Sequence, residues 1–266
     1  AYSYDVNATD PDVGDTLTFA LTTAPTGMTI NATTGLIAWT PTNAQVGANA
    51  VTVRVRDAAL GAATQSFSIS VANTNDPPTF TSTPVSSATE DAAYSYDVNA
   101  TDPDVGDTLT YALTTAPAGM TINTTTGLIA WTPTNTQVGV NAVTVRVQDT
   151  AAAAATQSFS ITVANTNDPP IISSTPVTSA TEDAAYSYDV NASDPDVGDT
   201  LTYSLVTTPT GMTINATTGL IAWTPTNAQV GANTVTVRVQ DAAAAAGTQS
   251  FSITVANTND APAITS

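Results

Sequence analysis

The stretch "YSYDVNATDPDVGDTLTYAL", residues 94–113, carries two alternating runs separated by an acidic turn. Tyr94, Tyr96 and Val98 fall on one face and Ser95 and Asp97 on the other; after the turn, Leu109, Tyr111 and Leu113 repeat the pattern. A period of two is the signature of half-buried strands. The same alternation returns in "AVTVRVQD" (142–149), where Val143, Val145 and Val147 point inward, and in "SFSITV" (158–163), with Phe159, Ile161 and Val163 inward. Between them, "GMTIN", "TTTG" and "LIAWT" (119–132) read as a tight hairpin in which Gly127 supplies a positive φ, and Trp131 is expected in the core. With "TSTPV" (81–85) as an opening strand, the unit has about seven strands at the spacing of a β-sandwich. The alanine run 151–155 is too short for a helix and is read as a hairpin tip.

This unit occurs three times. "AYSYDVNATDPDVGDTLT" begins at Ala1 and Ala93 and returns at Ala185 with one Thr-to-Ser change, and Trp39, Trp131 and Trp223 keep the same interval of 92 residues. The expected domains are 1–78, lacking its first strand, then 79–170 and 171–262, with 263–266 opening a further repeat. Both ends are therefore expected to be cut from a longer array.

Of 266 residues, 22 are acidic and four basic, a formal charge of −18; the basic residues are Arg54, Arg56, Arg146 and Arg238. Such a chain has no basic patch with which to neutralise phosphates, so no nucleic acid is expected as a partner. No apolar run approaches the roughly 20 residues of a membrane span, and no membrane insertion is expected in this segment. Histidine, cysteine and lysine are absent, which removes the usual nucleophile–base pairs and disulfides alike. A glycosidase-like carboxylate pair is also disfavoured, because Glu90 and Asp91 should lie at the opposite end of the unit from Asp102 and Asp104. The chain is not expected to be an enzyme. The sequons at Asn7, Asn31, Asn99, Asn123, Asn191 and Asn215 arise easily in a Thr- and Asn-rich chain.

The acidic turn has two readings. Asp, Pro, Gly and Asn make good turns without any ligand. Loops two strands apart, however, open at the same end of a sandwich, so Asp102, Asp104 and Asp107 should meet Asp149 where the linker residues Asn75 and Asp76 enter. The corresponding sets are Asp10, Asp12, Asp15 and Asp57 in the first copy, and Asp194, Asp196, Asp199 and Asp241 with Asn167 and Asp168 in the third. Asn259 and Asp260 form the last linker. Clustered carboxylates and amides without His or Cys point to Ca²⁺ rather than Zn²⁺ or Cu.

"TEDAAYSYDVNATDPDVGDTLTYAL", "TTGLIAWTP", "QVGVNAVTVRVQD" and "FSITVANTNDPP" together resemble the bacterial cadherin-like domains, in particular the dystroglycan-type and Ig-like repeats of large surface proteins. The resemblance implies an all-β fold of three tandem seven-stranded Greek-key β-sandwiches, cadherin/Ig-like, arranged end to end. It also implies Ca²⁺ at each junction, held by Glu90, Asn167, Asp168, Asp194 and Asp196 between the second and third copies, with Glu182 the counterpart of Glu90. Two features depart from that pattern: the family's acidic D-R-E element is replaced by "PTNTQVG" (133–139), and the last linker asparagine by Pro169. Fewer or weaker metal sites are the expected consequence. The implied role is an extracellular or cell-surface structural and adhesive repeat segment, a Ca²⁺-stiffened rod or filament. A carbohydrate-binding module and a laterally self-associating matrix protein are the alternatives. The partners would be neighbouring repeats of the same chain, and homotypic or polysaccharide contacts.

Overall fold

A computed structural model describes residues 1–262. The further repeat expected at 263–266 lies outside the described residues. Each copy folds around its own apolar cluster, centred on Ile37 and Trp39, on Ile129 and Trp131, and on Ile221 and Trp223. The second copy shows the design. One sheet places Leu128–Trp131 between Tyr94–Asp97 and Thr121–Ile122. The other runs in the order Thr110–Thr115, Gly139–Gln148, Ala154–Ala164 and Ser87–Thr89, the last pair parallel. The alternating residues of the two sheets meet between them: Val143, Val145, Val147 and Ile161 are buried, and the Trp131 ring packs edge-on against Tyr94 at 6.2 Å. Burying such side chains is worth about 1.5–3 kcal/mol each, and the T-shaped ring pair is a favoured aromatic geometry.

The opening segment differs from the expected single strand. Thr79–Phe80 pairs with Ala100–Thr101, and Ser87–Thr89 pairs with Thr162–Ala164 of the opposite sheet. Residues 81–86, containing most of "TSTPV", form the crossover between them. Pro84 has no N–H to offer a ladder; backbone bonds hold the ends of the crossover, Thr81 N–H to the Asn99 carbonyl at 2.8 Å and Thr162 N–H to the Ser86 carbonyl at 3.0 Å, and side chains hold its middle: the Tyr94 hydroxyl donates to the Val85 carbonyl at 2.7 Å, and Ser82 Oγ lies 2.8 Å from the Tyr96 hydroxyl. The hairpin tip is residues 149–153, since Ala154 and Ala155 already belong to the strand.

Candidate functional site: the junction between repeats

The junction of the second and third copies is built from five chain segments. Parallel pairing of Ser87–Thr89 and a bond from the Glu90 N–H to the Ala164 carbonyl at 3.1 Å bring Glu90 under the outgoing linker. Its Oε1 accepts the Thr166 N–H. The "PTNTQ" segment forms a short 3₁₀ turn, Asn135–Gln137, locked by Gln137, whose Oε1 accepts the Thr134 N–H at 3.0 Å and whose amide donates to the Ala118 carbonyl at 2.9 Å. That turn presents Asn135, whose Nδ2 donates to Asp168 Oδ2 at 2.8 Å. From the third copy, Asp196 Oδ2 accepts the Asp168 N–H at 2.8 Å, and Asp241 Oδ2 accepts the Asn167 amide at 2.8 Å. Asp194 Oδ1 in turn accepts the Asp196 N–H at 2.9 Å, and Asp241 Oδ1 the Ala245 N–H at 2.9 Å.

Asp241 has both oxygens taken, but four other side chains of the junction keep one oxygen free. Glu90 Oε2, Asn135 Oδ1, Asp194 Oδ2 and Asp196 Oδ1 are buried without any hydrogen-bond partner. Glu90, Asp168 and Asp196 bring ligand oxygens within 4.8 Å of one another, and Glu90 is only 2% exposed and Asp196 6%. Buried carboxylates of like charge repel and lose hydration, a cost met in proteins by a paired charge or a metal. Burial, then the carboxylates of Asp194, Asp241 and Asp196, push the Asp199 carboxyl above its ordinary value. The donor set is all oxygen, carboxylate and amide, which suits a hard cation with roughly six to eight oxygen ligands. The unpartnered oxygens therefore fit Ca²⁺.

Elsewhere the set is thinner. Between the first and second copies, Asp76 N–H donates to Asp104 Oδ2 at 2.7 Å, Asn75 to Asp149 Oδ2 at 2.9 Å and Asn43 to Asp76 Oδ2 at 2.7 Å. Asp102, Asp104 and Asp107 cluster there, and Asp107 Oδ1 accepts the Thr150 hydroxyl at 2.9 Å. No glutamate joins from the first copy among the described residues. At the top of the first copy, Asp10, Asp12 and Asp15 cluster; Asp12 is exposed and Asp57 half-buried, whereas their counterparts Asp104 and Asp149 are each 5% exposed. At the far end, Glu182 accepts the Thr258 N–H and Asn227 donates to Asp260, while Asn259 is exposed. No acidic loop closes that end among the described residues.

Asn43, Asn135 and Asn227 escape a reading that searches "PTNTQVG" for an acid. The segment does contribute an oxygen to the junction, from an amide rather than a carboxylate.

The chain has relatives among known proteins. Over 156 residues it is 31% identical to the serine-rich adhesin for platelets of Staphylococcus aureus, covering 58% of this chain and 11% of that protein in one strain, 6% in another. The chain thus spans about a tenth or less of those curated relatives. Among solved structures, mouse cadherin-23 EC22-24 superimposes with a TM-score of 0.56 at 24% identity, covering 96% of this chain and 91% of that one. Protocadherin gamma B2 extracellular cadherin domains 1-5 give 0.56 at 16% identity, covering 92% and 53%. These likenesses establish a cadherin-like fold. The family model described as Putative Ig domain matches residues 1–72, 77–164 and 169–256, and the chain belongs to that family.

Proposed function

We propose that this chain is an extracellular structural and adhesive repeat segment of a surface protein, whose junctions are stiffened by Ca²⁺ into a rod. The observation that carries the reading is the set of four buried, unpartnered oxygens where the second and third copies meet. When bound, Ca²⁺ supplies the positive charge that these oxygens lack and ties three segments of one copy to two loops of the next. Glu90 and Asn135 fix the lower wall, Asp194 and Asp196 the upper, and Asp168 joins them. Similarity to a serine-rich adhesin for platelets supports the extracellular setting, and the absence of cysteine, histidine and lysine side chains supports a non-enzymatic role.

The carbohydrate-binding alternative gains no observation. Every Trp, Tyr and Phe side chain among the described residues is buried or half-buried, leaving no exposed stacking platform. With strands of about 3.3 Å per residue, three copies in line reach on the order of 75 Å or more. Small-angle scattering with Ca²⁺ and with EDTA tests the proposal: chelation is expected to shorten the mean end-to-end distance and broaden its distribution. An unchanged distribution would count against metal-stiffened junctions.

A further inference from the structure

Lysine is absent from this chain and its arginines number four, yet three of the four, Arg54, Arg146 and Arg238, keep the 92-residue interval. In the second copy the strands of the larger sheet, Thr110–Thr115, Gly139–Gln148, Ala154–Ala164 and Ser87–Thr89, contain no acid, and Arg146 is their one charge. With Val145 and Val147 buried, Arg146 stands on the outer face, half-buried, between Ala112 and Thr156 of the flanking strands. Its Nη1 donates to Gln148 Oε1 at 2.6 Å. In the first copy, where Arg56 replaces that glutamine, Arg54 Nε is buried without a partner. A guanidinium is shaped for two-pronged contact with a carboxylate, and its own face supplies none. The side chains around it, Ala112, Ala142, Thr144 and Ser158, are short and leave the charge open to close approach.

The outer face of the smaller sheet carries the opposite charge. Its strands, Tyr94–Asp97, Thr121–Ile122 and Leu128–Trp131, contain one acid and no base: Asp97, which is exposed, with Leu128 directly across from it and 46% exposed. Asp5 with Leu36, and Asp189 with Leu220, repeat the arrangement. The Tyr96 hydroxyl crosses the sandwich to donate to Gln157 Oε1 at 3.0 Å, and Gln157 pairs with Val145. Asp97 and Arg146 are the next residues of those two strands, so they leave opposite faces of one copy near a common level. We propose that molecules of this chain stack side by side, face to back, the Asp97 face of one against the Arg146 face of the next. Carboxylate then meets guanidinium, and Leu128 meets the short side chains around it. Such a contact is heterologous and does not close on itself, so it builds an open stack rather than a dimer. Single exposed ion pairs are weak, but repetition along the chain lets them act together. The formal charge of −18 opposes contact at low ionic strength. Salt at about 0.15 M, with a Debye length of about 8 Å, screens that long-range repulsion more than a pair in contact. The stack extends the rod reading sideways without resting on the cation, since neither face includes a junction residue.

Sedimentation velocity on the 266-residue chain at about 0.15 M salt, from micromolar to near-millimolar concentration, should show association that continues past the dimer. A chain carrying Arg54→Glu, Arg146→Glu and Arg238→Glu, and another carrying Asp5→Arg, Asp97→Arg and Asp189→Arg, should each associate at least ~10-fold more weakly in Kd. An equimolar mixture of the two should recover association, because each reversed face then finds its complement. Arg→Gln and Asp→Asn at the same positions carry the test should a reversed charge disturb folding. A parent that is monomeric at every concentration, or association that ignores all of these substitutions, overturns the proposal. So does a monomeric parent whose migration alginate retards through the three arginines, a result that would give the face to an acidic polysaccharide. The same association is expected in EDTA, which keeps the stack separable from the Ca²⁺ reading; association present only with Ca²⁺ would place the contact at the junctions and overturn the stack.

Discussion

Glu90 occupies an unusual position for a glutamate: 2% exposed, with one oxygen taken by the Thr166 N–H and the other without a partner. If the junction exists to hold a cation, the Glu90→Gln variant should act in opposite directions in its two states. In EDTA the amide removes a buried charge and keeps an oxygen for Thr166, so thermal stability should rise or hold; in Ca²⁺ it should fall by about 1–3 kcal/mol, the usual scale for losing a charged buried contact. Asn135→Asp should invert the pattern, losing its donated bond to Asp168 in EDTA and gaining Ca²⁺ affinity by calorimetry. Variants that shift both states equally would return these residues to the turn-former reading. The carboxylates were legible in the sequence because their spacing repeats with the 92-residue unit. Asn135 was not, because an asparagine between threonines reads as turn chemistry until Asp168, 33 positions on, is brought against it.

The hairpin at 119–132 was legible for a physical reason that the structure makes explicit. Gly127 has φ of 78°, and a Cβ placed there would lie 2.3 Å from the Val98 carbonyl oxygen, so neither its backbone angle nor its surroundings admit a side chain. Gly127→Ala should cost about 2 kcal/mol or more in chemical denaturation, since strain at positive φ and a backbone clash act together. The opening segment was less legible: alternation cannot show that a strand pairs with one sheet for two residues and then crosses to the other. Its anchor makes a second prediction. Burial, and then neighbouring Tyr96, push the Tyr94 hydroxyl up to about 12, and that hydroxyl donates to the Val85 carbonyl. A folded value above the ordinary 10 means the contribution is complete below pH 10 and is lost as pH rises through 12, because the unfolded chain releases its proton first. Melting temperature followed from pH 9 to 12 should therefore fall, and Tyr94→Phe should flatten part of that fall while costing about 1 kcal/mol at neutral pH. A variant curve parallel to the parent's would remove Tyr94 from the alkaline transition.

Across the whole molecule the three copies share nearly one sequence but not one environment. Buried unpartnered oxygens number four at the second junction, Glu90 Oε2, Asn135 Oδ1, Asp194 Oδ2 and Asp196 Oδ1; the first junction has two, Asp102 Oδ2 and Asp104 Oδ1. The two extra oxygens at the second junction belong to Glu90 and Asn135. Unequal stability along the array should result, since in a tandem repeat each unit's stability adds its own core to the interfaces with its neighbours. One buried tryptophan per copy allows the three to be read separately. Single-tryptophan proteins, made by Trp→Phe at the other two positions, should give one transition per copy in EDTA. Added Ca²⁺ should then raise the Trp131 and Trp223 transitions more than that of Trp39, as ligand binding to the native state stabilises the copies that share the fuller site. A uniform shift, or one largest at Trp39, would show that the cation binds without regard to the junction and would place the acidic loops, rather than the walls built around Glu90 and Asn135, in control of the array's stiffness.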